Sequence, residues 1–251
     1  MLDWLCKNQA FFSKHRFWGP LFRFSRNLIS FLMRGRRFQL MRSRIRASSI
    51  LNVGCGMRSV KGAVTLDYYW YPGVDLVWDA HKKLPFPDCR FEGVFAEHFL
   101  EHIEFERVKE MLVEFRRVLK PGGVIRIVVP DGGLFLDLYH RTTQGEKIQF
   151  PGMKEDEDLA PMMVVNQVFR GWGHKYCYDF QTLARLLTDA GFQDVRKESY
   201  GRGRIKALLV DLEERTCESL YVEACAPGET QMPQRWGEGV GPTLGPENLG
   251  L

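Results

Sequence analysis

Two glycines and one acid occupy the positions of this sequence that are most informative about chemistry. Gly54 and Gly56 follow the apolar run 49–53, and Asp67 closes a second short apolar run. Glycines let a backbone turn approach a ligand closely, and the amide groups of such a turn can face a polar or anionic group. A carboxylate at the end of the next strand can accept two hydrogen bonds from a ribose diol. This layout predicts a site for a nucleoside-containing cofactor.

The same spacing disfavours a nicotinamide dehydrogenase. The dinucleotide fingerprint has a third glycine, and its acid follows roughly 20 residues later. Here Ser59 stands where the third glycine would be, and only eleven positions separate Gly56 from Asp67.

Polar residues also follow the third and fourth apolar runs. Asp79 could accept a hydrogen bond from the exocyclic amine of an adenine. Glu97, His98, Glu101 and His102 come after the fourth run, at the sheet edge where ligands bind in open α/β folds. Acids and histidines four positions apart resemble a metal-ligand spacing, because i and i+4 share a helix face. Since no third cluster of ligands accompanies them, we predict no metal site.

Hydrophobic periodicity predicts the elements that must position these residues. Short apolar runs alternate with helical patterns from residue 49 to about 130, which indicates a parallel sheet covered by helices. One helix is predicted over about 104–119 and ends at Lys120-Pro121-Gly122-Gly123, and a second over about 180–190 begins at the N-cap Asp179. The predicted strands lie at about 50–54, 63–67, 74–78, 93–97, 123–129, 193–200 and 219–225.

Length and composition favour one core with extensions. The chain has 251 residues, of which 45% are hydrophobic, enough for one sizeable core but hardly for two full domains. We predict a helical extension over 1–46, a core domain over 47–226 and a disordered tail over 227–251, which is dense in Gly and Pro. The six cysteines form no CxxC pair and no zinc-type cluster, which favours a reducing, cytoplasmic location.

The extension over residues 1–46 interleaves aromatic and aliphatic residues with arginines. It contains eleven Lys and Arg against the single acid Asp3, so it carries a net charge of +10 while the rest of the chain carries −6. Gly19-Pro20 predicts a division into two helices. No apolar run reaches the roughly 18 to 20 residues of a membrane span, and no secretion signal is recognisable.

Three interpretations of this extension stay open. It could be an interfacial helix on an anionic membrane surface, which would place the protein peripherally on the inner face of the membrane. It could instead be a cap whose arginine stems cover apolar surface of the core. An Arg-rich transit peptide is the third interpretation, although the segment runs directly into the first core strand.

As a set, the motifs of the core resemble class I S-adenosylmethionine-dependent methyltransferases. The resemblance is carried, in order, by LNVGCG, VTLDYY, WDAHKKLPFPD, FEGVFAEHFLEHI and RRVLKPGGVIRIVVPD. The nearest branch is the small type 11 domains, and GHKYCYDFQTLARLLTDAGF resembles a poorly characterised bacterial group among them. The resemblance covers about 49–226 and implies a Rossmann-like, doubly wound α/β fold with a mostly parallel, seven-stranded sheet.

The resemblance also implies a cofactor, S-adenosyl-L-methionine, and the residues that hold it. Gly54 and Gly56 would face its methionine part, Asp67 would bind the ribose, and Asp79 with Ala80 would border the adenine. The rest of the predicted cofactor-binding set is Cys55, Tyr68 and Glu97. One departure is that the segment 57–63 is too short for the usual full helix after the glycine turn.

Methyl transfer requires chiefly that a nucleophile be aligned with the methyl carbon and that water be kept out, and alignment can supply about 7 to 11 kcal/mol. An oxygen nucleophile would also benefit from a general base. The predicted candidates are His98 and His174, with Asp131 as a further option. We expect the segment 131–178 to form a lid over the acceptor.

The first hypothesis is a methyltransferase that acts on a small-molecule, glycan or lipid-linked acceptor. The second is an RNA methyltransferase whose basic extension contacts the phosphates along the RNA backbone. The sequence contains no recognised RNA-binding module. The third is a catalytically silent subunit that binds the cofactor and recruits a partner through its N-terminal helices.

Overall fold

A seven-stranded sheet forms the centre of the molecule. The computed structural model describes residues 18–36, 43–152 and 159–228. The strands are β1 Ile50–Val53, β2 Ala63–Asp67, β3 Leu76–Val77, β4 Phe91–Glu97, β5 Leu119–Pro130, β6 Gln193–Glu198 and β7 Ser219–Cys225. Their order across the sheet is β3-β2-β1-β4-β5-β7-β6.

The sheet is mostly parallel, as predicted. Strands β3, β2, β1, β4 and β5 run parallel, and β7 pairs antiparallel with both β5 and β6. The chain leaves β1 towards β2 on one side and returns to β4 on the other. Ligands of open α/β sheets bind in the crevice at such a reversal of strand order, beyond the carboxyl ends of the strands. The turn after β1 and the loop after β4 are therefore the segments that meet there.

Helices cover both faces of this sheet. They are α1 Trp18–Met33, α2 Ser43–Ala47, α3 Phe105–Val118, α4 Gly132–Thr143, α5 Pro161–Arg170 and α6 Phe180–Asp189. Asp179 caps α6 by accepting a hydrogen bond from the Thr182 amide at 2.8 Å, as predicted. Asp131 caps α4 in the same way through the Leu134 amide at 3.2 Å. Among the described helices, none is long and apolar enough to cross a membrane.

Burial explains why the apolar runs form central strands. All residues of β1 and β2 are buried, which is the pattern of parallel strands covered on both faces. Helix α3 buries one face against the sheet through Val108, Met111, Leu112, Phe115 and Val118. These are the apolar positions that indicated the helix from the sequence, so periodicity and packing agree.

The strand boundaries differ from the prediction in the middle of the sheet. Strand β4 pairs with β5 at Phe91 and Leu119, and the pairing resumes at Gly93 and Val124. Residues 120–123 are thus an irregular insertion within β5 rather than a break before it. Pro121 has no amide hydrogen for the ladder, and Gly122 takes the left-handed conformation with φ +70°. Strand β3 is only two residues long, whereas 74–78 was predicted.

Helix α1 lies against the loop that follows β2. Ser30 is fully buried, and its hydroxyl accepts a hydrogen bond from the Trp70 amide at 2.7 Å. Arg26 donates to the Tyr71 hydroxyl at 2.9 Å. Gly19 and Pro20 lie in the first turn of this helix, where proline is tolerated. The predicted first helix before Gly19 and most of the predicted tail fall outside the described residues.

Candidate active site

The glycine turn and Asp67 form one hydrogen-bonded unit at the carboxyl end of β1 and β2. The Gly56 amide donates to Oδ2 of Asp67 at 2.7 Å, and the Tyr69 amide donates to Oδ1 at 2.8 Å. No helix follows the turn in 57–62, as the short spacing predicted. A carboxylate has about four acceptor positions, so these two bonds leave one on each oxygen. That is the number a ribose diol needs.

Burial changes the acidity of this carboxylate. Asp67 is only 9% exposed. Burial raises the pKa of Asp67 above its ordinary value, whereas the hydrogen bonds from the Tyr69 and Gly56 amides and the charge of Arg26 oppose that rise. Cys55, within the turn, is buried too, and burial raises the pKa of its thiol. Its side chain is therefore a small apolar group of the turn rather than a nucleophile.

The two glycines of the turn have different surroundings. Both have positive φ, +67° at Gly54 and +54° at Gly56. A Cβ on Gly54 would lie 2.2 Å from the ring of Phe99, whereas a Cβ on Gly56 would meet no atom within 4 Å. Phe99 thus occupies the side of Gly54 that the sequence assigned to the cofactor. The open space is at Gly56.

The predicted adenine-side residues border a second opening. Asp79 accepts a hydrogen bond from the His81 amide at 3.1 Å and lies beside a cavity of about 290 Å³. That cavity is lined by Phe31, Arg34, Gly35, Trp78, Asp79 and Lys82. Ala80, the next residue along the chain from Asp79, is buried, and Tyr68 packs its ring under the guanidinium of Arg34 at 3.5 Å. Helix α1 and the turn after it therefore form one wall of this opening.

Glu97 is held by the protein itself. Its Oε2 pairs with Arg58, and its Oε1 accepts the Leu212 amide at 2.8 Å. Arg58 also donates to the Val210 carbonyl. Burial raises the pKa of Glu97, while the Leu212 amide and the Arg58 charge lower it. Glu97 therefore ties the segment after β6 to the sheet edge.

The two predicted histidines line one cavity beyond the carboxyl end of β4. It measures about 420 Å³. It is lined by His98, Glu101, His102, Pro130, Phe135, Gly152, Val168, Trp172, His174, Glu214, Arg215 and Glu218. The lining combines the loop after β4, the lid segment and the loop before β7. Asp131 is not part of it, because that side chain caps α4 and lies 3.3 Å from Nζ of Lys197.

His98 is positioned by two polar partners. It has a left-handed backbone with φ +46°. Its Nδ1 lies 3.1 Å from Oε1 of Glu101, and its Nε2 lies 3.1 Å from Oγ of Ser219. The carboxylate is at ion-pair distance without the alignment of a hydrogen bond, and the hydroxyl is within hydrogen-bond distance, so the ring has a carboxylate on one side and a hydroxyl on the other. Neither Glu101 nor Ser219 was singled out as a partner of His98 from the sequence, because Ser219 lies far along the chain.

The loop after β4 is not the helix face that the spacing suggested. The left-handed residue His98 ends the strand, and only a short 3-10 helix, Leu100–His102, follows. The ring of His102 lies beside that of His174, with ring centroids 5.0 Å apart. His174 is anchored through Nδ1, which lies 2.6 Å from the Val168 carbonyl oxygen.

A buried charged group joins β5 to β7 and to the segment between β6 and β7. Arg126, in the middle of β5, contacts Asp211 at 2.8 and 2.5 Å and Glu223 at 3.0 Å, and all three side chains are fully buried. Burial opposes the charge of Arg126, but Asp211 and Glu223 hold the pKa of the guanidinium above its ordinary value. The sequence analysis did not identify this group, although an arginine inside the apolar run VIRIVV indicates a buried charge that needs acidic partners.

The comparison with protein families agrees with this geometry. Residues 51–127 match the family model described as a methyltransferase domain. The resemblance to S-adenosylmethionine-dependent methyltransferases is therefore confirmed for this part of the chain, and S-adenosyl-L-methionine is the cofactor that such a domain implies. The open side of Gly56 and the unused acceptor positions of Asp67 fit that group.

Individual relatives are distant. An uncharacterised protein of Methanocaldococcus jannaschii is 28% identical over 139 residues, which are 55% of this chain and 64% of that protein. This chain thus spans less than two thirds of that relative. A methyltransferase structure from Archaeoglobus fulgidus is 19% identical, with coverage of 79% and 93% and a TM-score of 0.44. A Haemonchus contortus phosphoethanolamine N-methyltransferase is 13% identical, with coverage of 72% and 49% and a TM-score of 0.42.

Proposed function

We propose that the protein is an active methyltransferase that transfers the methyl group of S-adenosyl-L-methionine to a hydroxyl of a small-molecule, glycan or lipid-linked acceptor. This proposal depends mainly on one observation: two candidate ligand sites lie next to each other at the carboxyl edge of the sheet. The glycine turn with Asp67 lies on one side of the loop after β4, and the histidine-lined cavity lies on the other.

The cofactor compartment is assigned from the contacts of its residues. Asp67 binds the ribose through its two unused acceptor positions, and the open backbone at Gly56 admits the methionine part. Asp79, Ala80 and Tyr68 border the adenine next to α1. When bound, the cofactor supplies an activated methyl group, so the protein's task is alignment and exclusion of water.

His98 is the residue that we assign as general base. In this assignment, an acceptor hydroxyl replaces Ser219 as the partner of Nε2 and gives its proton to that nitrogen. Glu101, 3.1 Å from Nδ1, stabilises the imidazolium that forms. His174, the other predicted candidate, lines the same cavity from the lid side.

The size and lining of the cavity favour a polar acceptor of modest size. About 420 Å³ lies within the range of small-molecule sites. Carboxylates of Glu214 and Glu218 and the guanidinium of Arg215 offer hydrogen bonds on one wall, and Trp172, 62% exposed, offers an aromatic face at the rim. Such a wall suits a hydroxyl-rich molecule such as a sugar.

An anionic membrane surface is the proposed working location. Helix α1 exposes Phe24, Leu28, Phe31 and Leu32, of which Phe31 is 74% exposed, on the side opposite the buried Ser30. The extension over 1–46 carries a net charge of +10. Apolar side chains beside an excess of arginines favour attachment to anionic lipid. The same helix packs on the core through Ser30, so it also acts as a cap.

Transfer of a labelled methyl group to separate lipid, glycan and RNA fractions tests the function. We expect labelling of the glycan or lipid fraction, and we expect His98→Gln to lose at least about a hundredfold of that rate. The matched control is His140→Gln, an exposed histidine of α4 outside the cavity. Labelling of RNA alone would favour the RNA methyltransferase. Cofactor binding without turnover on any fraction would favour the silent subunit.

A further inference from the structure

Three side chains of the acceptor cavity lie close enough to share one metal ion. The ligand atoms of Glu101, His102 and His174 all lie within 4.8 Å of one another. Glu101 and His102 belong to the 3-10 helix after β4, whereas His174 lies within the segment 131–178, directly after the 3-10 helix Gly171–Gly173. The Lys175 amide donates to the Glu101 carbonyl at 2.7 Å and thereby holds the two segments together. The cluster therefore joins the sheet edge to the lid.

Glu101 is a buried carboxylate without a hydrogen-bond donor. The residue is 1% exposed, and neither carboxylate oxygen has a hydrogen-bond partner. His98 approaches Oε1 to 3.1 Å, which is an ion-pair distance, but the alignment is not that of a hydrogen bond. A buried carboxylate with so little compensation is costly. A cation in the cavity that Glu101 lines would supply the missing partner.

The two imidazoles are oriented as metal ligands usually are. Nδ1 of His174 lies 2.6 Å from the Val168 carbonyl oxygen, and Nδ1 of His102 lies 3.4 Å from that of Gly173. An Nδ1 that donates its proton to a backbone carbonyl leaves the lone pair of Nε2 available for a metal. Each ring therefore has one nitrogen fixed by the protein and one free to coordinate.

We infer that Glu101, His102 and His174 bind one divalent transition-metal ion of the Zn²⁺ type. Two imidazole nitrogens and one carboxylate suit Zn²⁺ or Co²⁺ better than Mg²⁺ or Ca²⁺, which prefer oxygen ligands. Three protein ligands leave a coordination position open towards the cavity, as in catalytic metal sites. An oxygen of the acceptor takes that position. This last step rests on the proposed function, whereas metal binding itself does not.

The position of His174 in the sequence explains why no metal site was predicted. His174 lies far along the chain from Glu101 and His102. Only the fold of the lid brings it to them. The spacing that first suggested ligands paired His98 with His102 and Glu97 with Glu101, all at the end of β4 or in the loop after it.

Cobalt binding to the full-length protein tests the site directly. Protein treated with a chelator is titrated with Co²⁺ in the absence of cofactor and acceptor, and the visible absorption of the coordinated ion is recorded. We expect one ion per chain and displacement of the ion by Zn²⁺. Glu101→Gln and His102→Asn should each weaken binding at least about tenfold. Absence of a saturable spectrum in the folded wild-type protein would overturn the inference.

Two control variants distinguish the loss of a metal ligand from a general change in the charge of the cavity. Glu214→Gln removes a carboxylate that lines the same cavity but lies outside the cluster, and His140→Gln removes an exposed imidazole elsewhere. Both should bind Co²⁺ like the wild type. His102 is exposed, so His102→Asn is expected to fold even if changes at the buried Glu101 prevent folding. Equal weakening by Glu214→Gln and Glu101→Gln would contradict the assigned ligands.

The experiments can contradict the proposed metal site and the proposed function independently of each other. A Co²⁺ spectrum that depends on the three ligands, without methyl transfer to any fraction, would support the site and remove the function. Methyl transfer that survives chelation and the His102→Asn change undiminished would support the function and remove the metal's role towards the acceptor.

Discussion

At the scale of single residues, the proposed function assigns the ribose contact of the cofactor to Asp67. We expect Asp67→Ala to weaken binding of S-adenosyl-L-methionine at least about tenfold, because charged hydrogen bonds contribute about 1.5–3 kcal/mol. Calorimetric titration measures the affinity. The control is Asp137→Ala, which removes an exposed carboxylate of α4, 62% exposed. Equal affinity of the wild type and Asp67→Ala would exclude Asp67 from the site.

Because burial raises the pKa of Asp67, both cofactor affinity and folding stability should depend on pH. Its carboxylate is ionised only above a pKa that burial moves upward from 3.8. The proposed ribose contact should therefore be lost as pH falls through that value, and cofactor affinity should decline as the pH is lowered through it. Folding stability should change with pH in the opposite direction to affinity. The contribution of Asp67 to the free energy of unfolding is fully present below pH 3.8 and is lost as pH rises through its folded-state pKa. Asp67→Asn should remove the change in affinity.

The two glycines of the turn give a matched pair of substitutions. An alanine at either position takes a left-handed conformation that costs about 1–2 kcal/mol. At Gly54 the added Cβ also meets the Phe99 ring, and overpacking costs a further 1–3 kcal/mol or so. Urea unfolding should therefore show a larger loss for Gly54→Ala than for Gly56→Ala. Equal losses would show that the Phe99 ring moves aside freely.

At the scale of elements, most of the fold could be predicted because its signals are local. Buried parallel strands are continuous apolar runs, and α3 and α6 have both periodicity and end signals, so their positions followed from the sequence. The insertion in β5 and the left-handed His98 could not be predicted, since each depends on pairing with another strand or loop. For the same reason, His98 and His174 were identified but their partners were not.

Helix α1 should bind anionic vesicles through its outer face. Replacing Phe24 and Phe31 together by Ser should lower the bound fraction at least about tenfold, because burying each phenylalanine contributes about 1.5–3 kcal/mol. Co-sedimentation with vesicles that contain an anionic phospholipid measures this. The control is Leu136→Ser, which changes an exposed apolar residue of α4, 50% exposed. If both changes have the same effect, α1 is only a cap on the core.

At the scale of the whole molecule, Arg126 joins β5, β7 and the segment between β6 and β7. It pairs with Glu223 on β7 and with Asp211, and it donates to the Ser199 carbonyl at 3.1 Å. Arg126→Met removes the buried guanidinium that pairs with both Asp211 and Glu223, so unfolding in urea should show a loss of about 3–5 kcal/mol.

The control for this substitution is an exposed ion pair. Lys120 pairs with Glu92 at 2.9 Å, and both side chains are about half exposed. Lys120→Met should change the free energy of unfolding by less than about 1 kcal/mol. If Arg126→Met were no more destabilising than Lys120→Met, the buried group would not be what holds the segment to the sheet.

Neighbouring residues of the loop after β4 belong to different compartments. The ring of Phe99 rests against Gly54 in the cofactor turn, while His98 lines the acceptor cavity. In the proposed function, a displacement of this loop by one ligand would reach the site of the other across one peptide bond. Thermodynamic reciprocity then requires that the factor by which the methyl donor alters acceptor affinity equal the factor by which the acceptor alters donor affinity. We therefore expect any cooperativity between methyl donor and acceptor in the proposed reaction to depend on the dipeptide His98-Phe99.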